Sequence, residues 1–144
     1  KASICFSQKH NLRVAIRDTG HDFADRSVAP ESLQINTHEM SDKKAHKDFK
    51  PIGSNGKGEG PAITVGAGVQ LYYMYKWLGE HDLMVVGGSS HGVGIAGGCI
   101  QGGGHSMLAA VGGMASDNVL EFRVVVADVS VLPTGGIPAI TVQY

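Results

Sequence analysis

Two glycine-rich segments hold most of the residues that could do chemistry. The first is Arg17-Asp18-Thr19-Gly20-His21-Asp22-Phe23, continuing to Ser27. Thr19 and Gly20 can present backbone N–H groups in a tight turn, and such a nest suits the oxygens of a pyrophosphate. His21 would sit on that turn, where an imidazole could be a ligand, a base or a point of covalent attachment. The bland alternative is an ordinary histidine on a surface turn, because short Gly-His turns are common.

The second segment runs from Gly87 to His105 and reads GGSSHGVGIAGGCIQGGGH. No Gly-Lys-Ser/Thr follows, so it is not a P-loop. Gly92–Gly97 fits G-x-G-x-x-G, but the acidic residue of a dinucleotide site is not evident and the pattern lies in continuous glycine. His81, His91 and His105 have no zinc-like spacing, and no thiol or carboxylate cluster completes a tetrahedral site, so no metal is expected. Ser90 and His91 are chain neighbours without a G-x-S-x-G elbow, which argues against a nucleophile and its base. What remains is a groove lined by backbone. Gly87, Gly88, Gly94, Gly97, Gly98, Gly102, Gly103 and Gly104 would let main chain approach a large flat ligand and its phosphates. The alternative is close glycine packing without a ligand.

The elements around these segments can be read from periodicity. Leu12–Arg17 alternates, with Leu12, Val14 and Ile16 on one face, and predicts a half-buried strand that delivers the first segment. Ser32–Asn36 and Ala62–Val65 predict two more strands. Between them, Glu39–Gly60 is rich in Lys, Asp, Gly, Ser and Asn and reads as an exposed, partly disordered excursion. Leu71, Met74, Tyr75 and Leu78 form one face of an amphipathic helix over Val69–Glu80. Leu83–Val86, a short apolar run, suggests a buried strand leading into the second segment. Ala2–His10 and Ser106–Val111 suggest short helices. Val119–Ala127 predicts a long strand, with Ser130–Leu132 pairing back on it as a hairpin. The order is α+β with short elements, not the regular βαβ repeat of a doubly wound nucleotide fold.

Composition narrows the partners. The chain has 144 residues, 42% hydrophobic and 17% charged, which fits one globular domain with a real core. Its formal charge of -1 gives no electrostatic case for nucleic acid or an anionic membrane. No apolar run approaches the roughly 20 residues that span a bilayer. The 21 glycines are about twice the usual share of roughly 7% and concentrate between Gly53 and Gly113. Cys5 and Cys99 read as free, buried thiols. The chain opens at Lys1 inside a helical pattern, with no visible signal peptide.

Taken together, RVAIRDTGHDFADRS, ITVGAGVQ, VVGGSSHGVGIAGGCIQGGGHSML and GGMASDNVLEFRVVVAD give the chain a family likeness from about Leu12 to Asp128. It resembles the PCMH-type FAD-binding domain of the vanillyl-alcohol oxidase and berberine bridge enzyme superfamily, fungal FAD-linked oxidoreductases in particular. The resemblance implies a mixed sheet with flanking helices, FAD as cofactor and a small-molecule substrate. Asp18, Thr19, Gly20, His21 and Asp22, with Ser27 beyond them, match the pyrophosphate loop. His21 matches the histidine that many members bond to the flavin 8α-methyl. Gly88, Ser89, Ser90, Val93 and Gly94 match the loop beside the isoalloxazine ring. Ser90 falls where bicovalent members carry cysteine, so a second link is not implied. Gly97, Gly98, Gly103 and His105 match the following glycine turn, where Cys99 replaces an aromatic residue. Asp117, Asn118 and Val126 match positions near the adenosine side.

Departures from the family are equally plain. The resemblance implies an upstream strand–helix segment and a downstream substrate domain, which supplies the catalytic base, and both are expected to lie outside residues 1–144. Val129 follows Asp128 where a glycine is usual, and GGIPAITVQY resembles a later family segment joined early. Residues 1–144 are therefore expected to form a partial FAD-binding domain. Its expected function is that of an FAD-linked oxidase passing hydride from substrate to flavin N5, in fungal secondary or alkaloid metabolism. The alternative is a truncated, inactive remnant.

Overall fold

The computed structural model describes residues 1–128, 131–134 and 139–143. Its strands fall into two sheets. In the first, β1 (Arg13–Arg17) pairs in parallel with β2 (Ser32–Asn36), Arg13 beside Ser32 and Arg17 beside Asn36. Parallel neighbours need a long connection, and residues 18–31 supply it without a helix. The second sheet is antiparallel and has the order β3-β4-β7-β5-β6. Its strands are β3 (Lys43–His46), β4 (Ala62–Gly66), β5 (Val119–Val125), β6 (Val131–Thr134) and β7 (Ala139–Gln143). Helices and strands are thus mixed as expected, with parallel and antiparallel pairings divided between the two sheets.

The core lies where helix α2 (Leu71–Glu80) meets β4 and the second glycine-rich segment. Leu71, Met74 and Leu78 from α2 are buried with Ile63 and Val65 from β4, and with Val85, Ile95, Ile100 and Ala115. The expected face of α2 is the one that packs inward, with Tyr75 and Trp77 at its margin. Helix α1 (Ala2–Lys9) lies outside this core and buries only Ser7. Helix α3 (Ala109–Gly112) is shorter than the Ser106–Val111 reading and shifted forward, because residues 106–108 form a turn in which Ser106 Oγ accepts the Leu108 N–H.

Four expectations are corrected. Glu39–Gly60 is not an unstructured excursion, since it contains β3, and Phe49 and Gly60 continue the pairing with a 2.8 Å bond. The polar sequence Lys-Lys-Ala-His hid an edge strand, and lysines are what protects such an edge from further pairing. Leu83–Val86 forms no strand: the Leu83 N–H turns back to the Leu78 carbonyl, and Val85 is buried by packing beneath α2 rather than by a ladder. In β1 the buried side chain is Ala15, whereas Ile16 on the apolar face is 58% exposed and Val14 only half-buried. Cys5 and Cys99 are both free thiols, but neither is fully buried: Cys5 is exposed on α1 and Cys99 is half-buried.

Of the remaining expectations, the long strand is β5, and Val131–Leu132 pairs back on it within β6. Ser130, Val129 and residues 135–138 of the proposed late segment lie outside the described residues. Ala139–Gln143 forms β7, which bridges β4 and β5.

Candidate functional site

The second glycine-rich segment is anchored on the start of α2. The first N–H groups of any helix lack partners within it, and Gln70, which precedes α2, offers no side-chain cap. The loop supplies acceptors instead: Val93 O takes the Leu71 N–H at 2.9 Å and His91 O takes the Tyr72 N–H at 3.0 Å. Ile95 N–H returns to Val69 O at 3.2 Å. Farther along the helix, the Tyr75 hydroxyl donates to Gly88 O at 2.6 Å. Gly88, His91 and Val93 are therefore held by α2 through their main chain. Ser89, Ser90 and His91 are exposed.

The same loop meets the first segment. Gly94 N–H donates to Thr19 Oγ1 at 3.3 Å. Gly94 has ordinary extended torsions (φ -80°, ψ 129°), so its glycine identity answers to space. A Cβ there would overlap the Asp18 carboxylate, and one at Gly97 would stand 3.0 Å from Asp18 Oδ2. A Cβ at Gly92 would likewise stand 3.0 Å from His21 Nε2. Gly97 also breaks the π-type turn Ile95–Cys99 with non-helical torsions (φ -101°, ψ -122°). Two segments separated by some seventy residues thus form one cleft of backbone, imidazole and carboxylate.

The turn Asp18–Asp22 has two features a nest requires. Gly20 has φ +85°, a left-handed conformation that glycine adopts without strain. Among the described residues, none accepts from the backbone N–H of Thr19, Gly20 or His21. Asp22, by contrast, is committed to closing the turn. Its carboxylate accepts from Arg26 N at 2.7 Å and pairs with the guanidinium, contacts that hold its pKa down at about 2. Ser27, just beyond, offers its carbonyl to the Gln34 side chain at 3.0 Å.

Asp18 titrates in the opposite sense. Burial raises its pKa to about 6, with His21 opposing the rise. Its Oδ1 is buried with no hydrogen-bond partner, an arrangement that disfavours the charged form. The Cys99 thiol is pushed up by burial and by the nearby Asp18 charge.

Other expected residues lie around this cleft. The Gly88 α-carbon approaches His105, whose carbonyl would be 3.7 Å from an added Cβ. Gly98 and His105 are exposed. Gly103 O accepts the Ser116 N–H at 3.1 Å, tying the glycine turn to the one that holds Asp117 and Asn118. There Asp117 Oδ2 accepts from Met114 N at 2.8 Å, and Asn118 Nδ2 donates to Gly112 O at 2.8 Å and Met114 O at 2.9 Å. These contacts make Asp117 and Asn118 turn-forming residues here. Val126 follows β5 and is half-buried.

Beside Gly87–Ser89 opens a groove of about 530 Å³, within the size range of small-molecule sites. Tyr75, Leu83, Met84, His91 and Met107 contribute to its lining. Tyr75 was hidden in the sequence by the apolar stripe of α2. The only available signal was its hydroxyl, which must find a partner when partly buried. Among the described residues no group of three or more His, Cys, Asp or Glu could hold a metal, and no helix is long and apolar enough to cross a membrane.

The donor set fits a flavin dinucleotide: open N–H groups on a left-handed turn, backbone without side chains, and an apolar groove alongside. Comparison with known proteins bears on the same cofactor. A family model described as FAD binding domain matches residues 1–135. FAD-linked oxidoreductase easE of Arthroderma benhamiae is 49% identical over 127 residues, covering 88% of this chain and 25% of that protein. FAD-linked oxidoreductase asqF of Emericella nidulans is 47% identical over 131 residues, 88% of this chain and 23% of that protein. The chain thus spans about a quarter of these relatives. In structure it is similar to the VAO-type flavoprotein MtVAO615 of Myceliophthora thermophila C1, with a TM-score of 0.87 and 33% identity over 99% of this chain and 29% of that one. Berberine bridge enzyme in complex with (S)-reticuline shares the fold, with a TM-score of 0.79 and 20% identity over 96% of this chain and 30% of that one. With its matching family model and its VAO-type architecture, the chain belongs to the FAD-binding domain family of the FAD-linked oxidoreductases.

Proposed function

We propose that this chain is the cofactor-holding part of a flavin-dependent oxidase of the berberine bridge type, acting on a small molecule of fungal secondary or alkaloid metabolism. The observation that carries the proposal is the meeting of the two segments, through Gly94 N–H and Thr19 Oγ1 and through the Asp18 carboxylate against Gly94 and Gly97. The substrate class is supported by the relatives' names, aurantioclavine synthase cnsA of Penicillium expansum among them, 46% identical over 89% of this chain.

FAD, when bound, supplies the acceptor for a hydride taken from a substrate C–H bond. The protein's own task is placement. Thr19, Gly20 and His21 offer N–H groups to the pyrophosphate. Gly88, Ser89, Ser90, Val93 and Gly94 border the ring, and Gly97, Gly98, Gly103 and His105 continue that wall. Asp22 and Ser27 shape the pyrophosphate turn, while Asp117, Asn118 and Val126 serve the adenosine side. We assign a covalent bond to the 8α-methyl to His21, a reading supported by its exposure and by its position facing Gly92. Held by main chain and stiffened by α2, such a loop keeps a flat ring in place at small entropic cost.

Spectroscopy followed by acid precipitation tests the proposal. The purified chain incubated with FAD should show protein-bound flavin absorbance, and tethered colour should stay with the acid pellet. His21→Ala should release the colour to the supernatant while leaving the far-UV circular dichroism unchanged. A chain that takes up no flavin would favour an inactive remnant. A coloured His21→Ala pellet would refute the tether.

A further inference from the structure

The Asp18 carboxyl is out of place in a cleft built for anions. Its Oδ1 is buried without a partner, and its Oδ2 lies against the backbone of Gly94 and Gly97. The open N–H groups of Thr19, Gly20 and His21 follow directly in the chain. An anionic phosphate drawn to that nest would approach a second negative charge in a partly desolvated site, an arrangement that strongly disfavours having both ionised. The titratable groups facing Asp18 are His21 on its own loop and Cys99 on the π-type turn. His21 is exposed, so water weakens its electrostatic hold on the carboxylate. The Arg17 guanidinium runs beside Gly20, its Nε 3.1 Å from where a Cβ would stand, so it borders the nest rather than the buried Asp18 Oδ1.

We infer that Asp18 engages the bound cofactor as a neutral carboxylic acid, so that seating an anionic flavin nucleotide is coupled to the uptake of one proton from solvent. This inference rests on the flavin reading above. As the acid, Asp18 turns from an acceptor-only group into an O–H donor. That O–H can point at a phosphate oxygen beside the N–H groups of the nest. The proton adds to the carboxylate, and no other bond changes. The free domain is already poised for this step, because burial, opposed by His21, raises the Asp18 pKa to about 6.

The test is the affinity of the purified chain for FAD, read by quenching of flavin fluorescence across pH. Binding that requires the neutral acid weakens tenfold per pH unit above the group's pKa, so the dissociation constant should rise on the order of a hundredfold between about pH 5 and pH 8. Asp18→Asn keeps the shape and cannot ionise, so it should lose most of that dependence and bind more tightly than wild type at the alkaline end. Asp18→Ala, checked for native circular dichroism, separates loss of charge from any new amide contact. Riboflavin, which lacks phosphates, should bind with a much flatter pH profile. Calorimetry in two buffers of different ionisation enthalpy should count close to one proton taken up by the wild type near neutral pH and none by Asp18→Asn. FAD binding with an unchanged pH profile in Asp18→Asn and Asp18→Ala would overturn the inference and leave the flavin reading intact. An equal slope for riboflavin would overturn the phosphate assignment. Failure of every variant to bind FAD at any pH would overturn both.

Discussion

At the scale of single residues, space rather than torsion decides the critical glycine. Gly94 has backbone angles that any residue could adopt, yet an added Cβ would overlap the Asp18 carboxylate. Gly94→Ala should therefore destabilise the domain by about 1–3 kcal/mol, as other overpacked sites do. In a double-mutant cycle read by urea unfolding, Asp18→Ala should recover most of that loss; strictly additive costs would mean the two residues do not compete for the same volume. The pH dependence of the free domain follows from the same carboxylate. Folded Asp18 keeps its proton up to about pH 6, whereas the ordinary value is 3.8, so the native state binds more protons between these limits. Stability is fully present below the lower value and declines as pH rises through the higher one. Asp22 has the opposite sign, its contribution being lost as pH falls toward about 2, but its partner Arg26 is exposed and the pair lies at the surface, so it should matter little. The sequence marks Gly94 and Asp18 as neighbours of a ligand. It could not show that they face each other, because their contact depends on how a distant loop is folded back over β1.

Among the elements, α2 organises the site without carrying a predicted site residue. Its first N–H groups draw the loop at His91–Val93 into place, and Tyr75 fastens Gly88 one turn later. Tyr75→Phe retains the ring and its packing while leaving Gly88 O without its donor. A cost of about 1 kcal/mol is expected in chemical denaturation, with weaker flavin binding as the loop loosens. If flavin affinity is unchanged while stability falls, Tyr75 supports the helix alone and does not position the loop. Periodicity revealed α2, β1, β2, β4 and β5 because each combines a regular pattern with a partner able to bury it. It failed where burial and pattern separate. Lys43–His46 has no apolar face yet pairs as an edge, and Leu83–Val86 has an apolar run yet finds no ladder. Within β1 it identified the strand but reversed its faces, because Ala15 carries too little hydrophobicity to stand out beside Ile16.

Across the whole molecule, the antiparallel sheet depends on β7. This strand joins β4 to β5, with Thr141 beside Thr64 on one side and Glu121 on the other. A proline at a central position removes ladder hydrogen bonds, so Thr141→Pro should cost roughly 3 kcal/mol or more. Hydrogen exchange should then show β4 and β5 opening together; protection unchanged in both strands would contradict the bridging role. The sequence marked Ala139–Gln143 only as part of a late family-like segment, and its place as a strand between two others is a matter of topology that no local pattern encodes. The order of events during synthesis follows. The β3–β4 and β5–β6 pairs can each close as soon as their own residues emerge, but their facing edges stay bare until Ala139–Gln143 clears the ribosome. During that interval the nascent chain exposes two unpaired strand edges, the surfaces most prone to wrong partners. Slowing translation before Ala139 would prolong the hazard, and a holding chaperone would be most useful in that window.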